Sequence, residues 1–232
     1  MTIGLASQKT GIPRAAVRRC LYTLGQLGYV GADDGRNFSL RPKILALGHT
    51  YLSSEPLVTS AQPLLDRIGN TLLESCSMAV LDGDDMLYVA RSSRTTRIMS
   101  IDLHIGSRLP AYCTSMGRVL LAGLPDEELA AFLRRVDLRA LTPRTIVSPA
   151  KLKQVLGNVR RRGYALVDQE LELGLRSIAV PVKGAAGKVL AALNISAQAS
   201  RVPSAEMEAQ FLPVLRAAAQ ELSLLEIGSG RP

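Results

Sequence analysis

The first 26 residues alternate between short stretches of helical apolar period and residues that break helices. Residues 5–9 predict a short helix, which Thr10 and Gly11 end. Pro13 suits the first position of the next helix, where its missing N–H costs no hydrogen bond. From there to residue 25 the apolar side chains recur at i, i+4 and i+7, at Val17, Leu21 and Leu24. Two helices joined by a short turn with a glycine predict a helix-turn-helix.

The next residues predict a β-hairpin, which would be the wing of a winged helix-turn-helix. Residues 27–30 and 37–40 are strand-like and flank the turn 33–36, in which Gly35 suits the bend. The second helix carries arginines beside a small residue on the side opposite its apolar stripe, and such a surface suits a DNA groove and its phosphates. The residues predicted to contact DNA are Arg14, Ala15, Arg18, Arg19, Tyr22, Arg36 and Arg41. A basic lobe for protein contacts is the alternative.

The pattern changes after residue 42. Residues 43–52 predict a linker helix, and the following segments alternate between helical and strand-like patterns without an internal repeat. Strand-like runs lie at 75–81, 86–91, 98–105, 164–168, 177–182 and 189–196. The predicted fold class is α+β, with helices on one side of a mixed sheet. We expect a DNA-binding domain at 1–42, a second domain at 43–226 that includes the linker helix, and a disordered tail at 227–232.

Charge is concentrated at the amino-terminal end. The chain has 232 residues and a formal net charge of +8, from 28 basic and 20 acidic side chains. Residues 1–43 contain seven of the basic and two of the acidic side chains, so the rest of the chain is nearly balanced. A basic head on a nearly neutral body indicates a polyanion-binding module joined to a second domain. A solvated basic face without a partner is the alternative.

The cysteine content and the hydropathy of the chain indicate in which cellular compartment the protein is expected. Cys20, Cys76 and Cys113 are an odd, widely spaced set, which does not suggest a disulfide framework. No apolar run reaches the roughly 20 residues of a membrane span. The amino terminus lacks the pattern of a secretion signal. We therefore expect a cytoplasmic protein that does not associate with membranes.

The sequence offers little for catalysis. It contains no G-x-S-x-G elbow, no G-x-x-x-x-G-K-[ST] loop and no G-x-G-x-x-G after a strand. Cys113 is the best candidate nucleophile, with His104 and Asp102 on one face of a strand, but nothing in the sequence brings the three together. His49 and His104 lack the spacing of metal ligands. We expect neither an enzyme nor a cofactor or metal.

Four segments carry a combination of residues that is specific to one family. They are Thr10–Arg19 and Leu24–Val30 in the head, and Gly106–Ala122 and Gly163–Val182 in the body. With them the chain resembles, over residues 3–226, the isocitrate lyase regulator (IclR) family of bacterial transcription factors. The resemblance implies a winged helix-turn-helix joined to an effector-binding domain related to GAF domains. Family members have a further helix before the one near Ile3, so the head is expected to lack its first helix.

The resemblance also implies a function. Residues 97–100 and 110–117 are most similar to the subgroup that controls aromatic-acid breakdown through β-ketoadipate. The expected function is a regulator of aromatic catabolism genes whose operator binding is controlled by a small carboxylate, an aromatic acid or β-ketoadipate. It would be a homodimer or homotetramer, since helix-turn-helix proteins usually read paired half-sites. The alternative is an effector-binding or oligomerisation protein with a degenerate DNA-binding head.

A carboxylate effector needs hydrogen-bond donors for its charge and an apolar wall for its carbon skeleton. The helix that starts near Thr114 offers free N–H groups at the positive end of its dipole, which suits an anion. Mapped onto the family pattern, the effector-binding residues are Ile98, Ile101, Leu109, Thr114, Ser115, Met116, Asp168, Ser177, Asn194 and Ser196. Arg176 is expected either to pair with the carboxylate or to hold Glu170 and Glu172.

Overall fold

The computed structural model describes residues 1–32, 34–92 and 103–228. The chain divides into two compact units, Met1–Glu55 and Pro56–Pro232. The linker helix, which we assigned to the second domain, falls in the first unit. Lys43 explains this placement, because its Nζ donates to the Leu27 carbonyl at 3.0 Å and so ties the start of the helix to the head. The compact units therefore divide after residue 55.

The first unit contains the predicted helix-turn-helix and hairpin. Its elements are α1 (Ile3–Thr10), α2 (Arg14–Gln26), β1 (Val30–Ala32), β2 (Phe38–Leu40) and α3 (Ile44–Ser54). The Thr2 hydroxyl accepts from the Leu5 N–H at 3.2 Å and caps α1, which ends at Gly11 with a φ of 71°. Pro13 precedes α2 as its cap residue. The strand β1 begins three residues later than predicted, because α2 continues to Gln26 and Gly28 makes the turn with a φ of 78°.

The core of the first unit is small. Ala6, Val17 and Leu21 form its buried cluster, against which Ile3 and Phe38 pack. Leu24, the third residue of the apolar stripe on α2, is 40% exposed. The stripe therefore has cover over its first two members only.

The second unit alternates helices and strands. Its first half contains α4 (Pro56–Leu72), β3 (Ser75–Asp82), β4 (Asp85–Arg91), β5 (Arg108–Pro110), α5 (Ser115–Ala122) and α6 (Asp126–Arg135). Its second half contains α7 (Pro149–Arg162), β6 (Ala165–Asp168), β7 (Leu175–Lys183), β8 (Val189–Gln198), α8 (Ser204–Glu206) and α9 (Leu212–Gly228). A π-helical turn, Met207–Phe211, joins the last two helices. The first two residues of the predicted tail belong to α9, and the others lie outside the described residues.

Six strands form one sheet in the order β5-β4-β3-β8-β7-β6, and every pairing described in it is antiparallel. This corrects the predicted mixed sheet. Hairpins join β3 to β4 and β7 to β8, which makes each pair antiparallel. The segment that contains α5, α6 and α7 carries the chain from β5 at one edge to β6 at the other, where β6 pairs antiparallel with β7.

Helices cover both faces of this sheet, which corrects the expectation of helices on one side. Ala79, Ala179 and Ala192 share one face and belong to the apolar cluster that contains most of α5. Residues next to them on the same strands, such as Met78 and Leu193, point to the opposite face of the sheet and are buried as well. The helix α4 contacts β3 and β4, and α9 contacts β7 and β8. Because both faces are buried, the central strands carry apolar residues toward both faces over much of their length.

One predicted strand, 98–105, does not match the described residues. Residues 98–102 lie outside them, and residues 103–105 are not in a strand. The edge strand β5 lies three residues further on and was not predicted. No helix within the described part of the chain is long and apolar enough to cross a lipid bilayer.

Candidate functional site

The basic side of α2 faces solvent. Val17 and Leu21 are buried, whereas the residues that we predicted on the opposite side are all exposed: Arg14, Ala15, Arg18, Arg19 and Tyr22. The first four of these and Ile3 line an open depression of about 660 Å³. Among the described residues no carboxylate pairs with the arginines of this helix. Their charges are therefore available to an external anion.

The hairpin presents the other two predicted arginines, both of them exposed. Arg36 stands in a turn that Asp34 closes, because its carboxylate accepts from the N–H groups of Asn37 at 2.6 Å and Arg36 at 2.9 Å. These backbone bonds, strongest from Asn37, lower the pKa of Asp34 to about 2. Arg41 lies across Gly31 of β1, where a Cβ atom would come 2.3 Å from its Nε. A side chain at position 31 would therefore displace the Arg41 guanidinium from this position.

In the second unit, a close contact fixes the start of α5. A Cβ atom on Gly117 would lie 2.3 Å from the Cα of Ala111, so only glycine lets the helix approach the 3-10 turn Ala111–Cys113. Thr114 precedes the helix as its cap residue, but its hydroxyl donates to the Pro110 carbonyl at 3.0 Å. This corrects the expectation that the Thr114 hydroxyl is offered to an anion. The N–H groups of the first turn have no side-chain cap.

Small polar residues of three adjacent strands share the sheet face that α5 covers. Ser75 lies opposite Ser196, which lies opposite Ser177, and Ser77 lies opposite Asn194. We call these five residues the polar sheet patch; four of them are buried and Ser196 is half-buried. Along the same strands the face continues with Ala79 and Ala192, which pack against α5. The face is thus polar at one end and apolar at the other.

Ser115 Oγ on α5 and Asn194 Oδ1 on β8 are buried and have no hydrogen-bond partner among the described residues. The amide nitrogen of Asn194 donates to Ser196 Oγ at 2.9 Å. Ser115 lies one helical turn before Val119, and Val119 lines a cavity with Pro181 and Val189 of the same sheet, so Ser115 faces the sheet as well. A buried polar atom without a partner costs about 1–3 kcal/mol. A ligand with hydrogen-bonding groups could satisfy both atoms.

The predicted apolar wall is partly described. Leu109 and Met116 are buried in the cluster around α5. Ile98 and Ile101 lie outside the described residues, so their expected contact with an effector stays a prediction.

Asp168 was expected in the pocket, and this expectation is wrong. Asp168 pairs with Arg176 across β6 and β7, whereas Ser177 pairs with Val167, so Asp168 lies on the opposite sheet face from Ser177. Its carboxylate forms ion pairs with Arg144 and Arg176. Arg176 also donates to the Val202 carbonyl at 2.6 Å. Arg176 therefore holds Asp168 and not Glu170, and its expected pairing with the effector carboxylate stays a prediction.

An ion pair that the sequence did not reveal lies beside the site. Arg118 of α5 and Glu170 are buried, and two hydrogen bonds of 2.7 and 2.6 Å join the guanidinium to the carboxylate. The available signal was a charged residue in the otherwise apolar stretch 116–122. Ser75 and Ser77 were also missed, although serines two apart in a buried strand must share a face.

The groups considered for catalysis do not assemble among the described residues. Burial raises the pKa of the Cys113 thiol to about 12, so the thiol is protonated at neutral pH and is a poor nucleophile. His104 is exposed, and Asp102 lies outside the described residues. No group of three or more potential metal ligands occurs in the part of the chain that the structure describes.

A winged helix-turn-helix with unpaired arginines, joined to a unit with a buried polar site, defines a ligand-responsive DNA-binding regulator. The family model for the bacterial transcriptional regulator IclR C-terminal domain matches residues 49–224, and that for the IclR helix-turn-helix domain matches residues 1–34. The chain belongs to the IclR family of bacterial transcriptional regulators. This confirms the expected α+β fold of a winged helix-turn-helix joined to an IclR-type domain, apart from the arrangement of the sheet, and it confirms a DNA-binding regulator that is not an enzyme.

Similar proteins place the chain near regulators of aromatic metabolism. The Pca regulon regulatory protein of Pseudomonas putida is 56% identical over 222 residues, which are 96% of this chain and 76% of that protein. The p-hydroxybenzoate hydroxylase transcriptional activator of Acinetobacter baylyi is 38% identical over 96% of this chain and 83% of its own length. These relatives confirm the expected subgroup.

Two solved structures of transcriptional regulators are also similar to this chain. The crystal structure of a transcriptional regulator from Rhodococcus sp. RHA1 matches with a TM-score of 0.79 and 44% identity over 100% of this chain and 91% of its own. The inducer-binding domain of the Acinetobacter PobR transcription factor, a double mutant in complex with 3-hydroxybenzoic acid, matches with a TM-score of 0.67. It is 38% identical and covers 71% of this chain and 96% of its own.

Proposed function

We propose that this regulator binds operator DNA through α2 and the wing, and that a small carboxylate controls this binding from a site between α5 and the polar sheet patch. The observation that carries the effector site is the pair of buried atoms without partners, Ser115 Oγ and Asn194 Oδ1. The uncapped first turn of α5 supplies N–H donors and the positive end of a helix dipole for the carboxylate. We propose that the effector is bound by Leu109, Ser115, Met116, Ser177, Asn194 and Ser196. Ile98 and Ile101 stay predicted members of the same effector site.

An aromatic acid or a keto acid is the effector class that the surroundings support. The polar sheet patch offers hydrogen bonds to a hydroxyl or keto oxygen, whereas Leu109 and Met116 supply apolar contacts to the carbon skeleton. The similar PobR domain is named as a complex with 3-hydroxybenzoic acid, and the similar Pseudomonas regulator is named for the Pca regulon. We infer that the genes controlled by this chain serve aromatic catabolism.

The DNA-binding half of the proposal rests on Arg14, Arg18 and Arg19, which are exposed on one side of α2. Ala15 on the same side allows a close approach to the groove, and Tyr22 extends the surface by one turn. Arg36 and Arg41 on the wing are placed to contact the backbone phosphates. We keep residues 1–42 as the DNA-binding segment and residues 43–226 as the effector-binding segment, and we propose that the protein acts in the cytoplasm.

The helix α3 supports a homodimer or homotetramer. It has no buried residue, although it is apolar over most of its length. Leu45 is 71% exposed and Leu47 is 52% exposed. An apolar helix without cover in one copy is expected to pack against a second copy, since this removes its surface from water. Two heads held together in this way would read two half-sites.

Gel shifts test DNA binding, with the upstream region of the gene as probe and a scrambled duplex as competitor at stated salt concentrations. Arg18→Ala and Arg19→Ala should each weaken specific binding, and a lost phosphate contact reduces the slope of log affinity against log salt by about 1. Arg139→Ala, which removes an exposed arginine of the second unit, is the matched control. Failure of the wild-type protein to bind any upstream site specifically would favour the degenerate head instead.

Calorimetry tests the effector site, with protocatechuate, 4-hydroxybenzoate and β-ketoadipate as ligands. Ser115→Leu should abolish any binding that the wild type shows, because the leucine fills the space beside the first turn of α5. Arg18→Ala serves as the control and should leave the affinity unchanged. Equal affinity of Ser115→Leu and wild type would place the effector elsewhere.

A further inference from the structure

The buried Arg118 connects four segments of the second unit. Its Nε donates to the Tyr112 carbonyl at 2.9 Å, in the 3-10 turn before α5. Its two terminal nitrogens donate to Glu170, which lies between β6 and β7. The Glu170 carboxylate also accepts from the Ile146 N–H at 3.0 Å, in the segment before α7. A single ion pair thus joins α5 and the turn before it to two distant loops.

The two loops are also bound to each other. The Thr142 hydroxyl donates to the Gln169 carbonyl at 2.7 Å, and the Thr145 hydroxyl donates to the Glu170 carbonyl at 2.6 Å. Gln169 itself has a φ of 60°, which is unfavourable for a residue with a side chain. The backbone around Glu170 is therefore held in one conformation by its neighbours, so the carboxylate gives Arg118 a fixed partner.

Stability alone is a poor explanation for this ion pair. Both side chains are at least nine-tenths buried, and taking two charges out of water costs about as much as their attraction returns. Apolar residues of similar volume often give equal or greater stability. A retained buried pair is better explained by the geometry that it imposes, because a bidentate guanidinium fixes both distance and orientation.

We infer that Arg118, held by Glu170, is the positioning residue for the effector site. The inference rests on the proposed function, because the first turn of α5 that it orients is the proposed anion site. Arg118 lies three residues after Ser115, so its side chain anchors the same end of the helix. It also neutralises Glu170, whose charge would otherwise oppose a bound carboxylate. Arg118 acts on the effector through the placement of Ser115 and of the first N–H groups.

The chain offers a matched control at the opposite end of the same helix. Arg160 of α7 donates to the carbonyls of Ala122 and Leu124, both at 2.8 Å, and pairs with Asp126 at 2.7 Å. It therefore anchors the carboxyl end of α5 with the same chemistry. Arg160→Met makes the same substitution as Arg118→Met, but at the end of α5 that is not proposed to bind the anion.

The first measurement needs no ligand. Hydrogen exchange is followed at the amides of 118–120, which close the first turn of α5; Arg118 N–H bonds the Thr114 carbonyl at 3.0 Å. Glu170→Gln and Arg118→Met should speed exchange there by roughly tenfold or more and leave α9 unchanged. Arg160→Met should leave 118–120 unchanged. Exchange at 118–120 within twofold of wild type in folded Glu170→Gln protein would overturn the inference, whether or not any effector binds.

The second measurement is effector affinity by calorimetry, with the acid among the three that wild type binds best. Arg118→Met and Glu170→Gln should raise the Kd about 10- to 100-fold, the usual effect of removing a group that orients a ligand. The double variant Arg118→Met/Glu170→Met leaves no buried charge and should remain weak in binding. Wild-type affinity in the folded double variant would show that Arg118 only neutralises Glu170, and so would contradict positioning.

The two measurements separate the inference from the proposed function. If wild type binds none of the three acids, the proposed effector is wrong, while the exchange measurement still decides the role of Arg118. If wild type binds and Ser115→Leu does not, the site is correct. If folded Arg118→Met or Glu170→Gln protein then binds the acid with wild-type affinity, the inference about Arg118 is refuted and the proposed function still stands.

Discussion

The two units of this regulator differ in how their residues are covered. In Met1–Glu55 the buried cluster consists of three residues, and α3 has none. In the second unit α5 is buried along its whole length, and the sheet is covered on both faces. A unit of this small size buries too little surface to be very stable alone, whereas the second is large enough for an ordinary core. The first unit therefore has little buried surface of its own, whereas the second unit has an extensive core.

Among the substitutions that distinguish the two units, Leu21→Ala should have the largest effect on stability. The substitution removes one of the three residues of the buried cluster in the first unit and should cost about 2–4 kcal/mol. A unit of this size has a total stability of about 3–8 kcal/mol, so a large share would be lost. Gel shifts should show loss of operator binding, while calorimetry shows unchanged effector affinity. Unchanged DNA binding would mean that the first unit has more support than its own core supplies.

Gly117→Ala should cause the next largest effect, in the second unit. The added methyl would meet the Ala111 backbone at 2.3 Å, so it should destabilise the unit by about 1–3 kcal/mol in thermal unfolding. The control is Gly157→Ala on α7, where the nearest atom is the tip of Arg161 at 3.8 Å. There alanine should stabilise the helix by about 0.5–1 kcal/mol. Equal effects of the two substitutions would contradict the tight start of α5.

Thiol reactivity gives a smaller effect that separates the units directly. Cys20 of α2 is exposed, whereas Cys76 and Cys113 are buried in the second unit. Burial raises the pKa of both buried thiols to about 12, so at pH 8 only about one in ten thousand is ionised. A disulfide reagent at pH 8 should label one thiol quickly in native protein and all three after unfolding. Rapid labelling of two thiols in native protein would show that the second unit opens.

The smallest effect that we predict is the pH dependence of the turn in the wing. The folded pKa of Asp34, about 2, is below its ordinary value of 3.8, so its hydrogen bonds contribute to the wing turn above pH 3.8. This contribution is lost as the pH falls through about 2. A carboxyl NMR titration should show the low midpoint, and Asn37→Ala should raise it by removing the side-chain donor to Asp34. An ordinary midpoint in the wild type would mean that the turn is open in solution.

Features with a local cause could be predicted from the sequence. Ser148 caps α7 through the Lys151 N–H, and Gly163 ends it with a φ of 72°; a serine before a proline and a glycine after the last turn are residue types that mark helix ends in a sequence. Apolar residues that recur with helical period near the carboxyl-terminal end, among them Met207 and Leu215, are buried. Caps and periodicity depend on neighbours within a few residues, and for that reason the sequence reveals them.

Features that depend on distant pairing could not be predicted in the same way. The mixed sheet was wrong because the strand order is set by which distant strands meet. Asp168 was misplaced because its face depends on a register, and a shift of one residue reverses every side chain. Arg118 and Glu170 are 52 residues apart, and the sequence suggested Arg176 as a partner for Glu170 instead. The sequence did suggest α5 and β8 for the effector site that we propose, but it did not suggest the contacts that support these elements.

The polar sheet patch has a consequence for how such regulators diversify. Its serines and asparagine are small and stand on strands whose hydrogen bonds run through the backbone. If the effector binds where we propose, exchanging one of them for another small residue would change which ligand atoms are recognised and would leave the strand pairing intact. Substitutions at these positions would then change the recognised molecule while the rest of the fold stays the same. One scaffold of this kind can supply a lineage with sensors for many different metabolites.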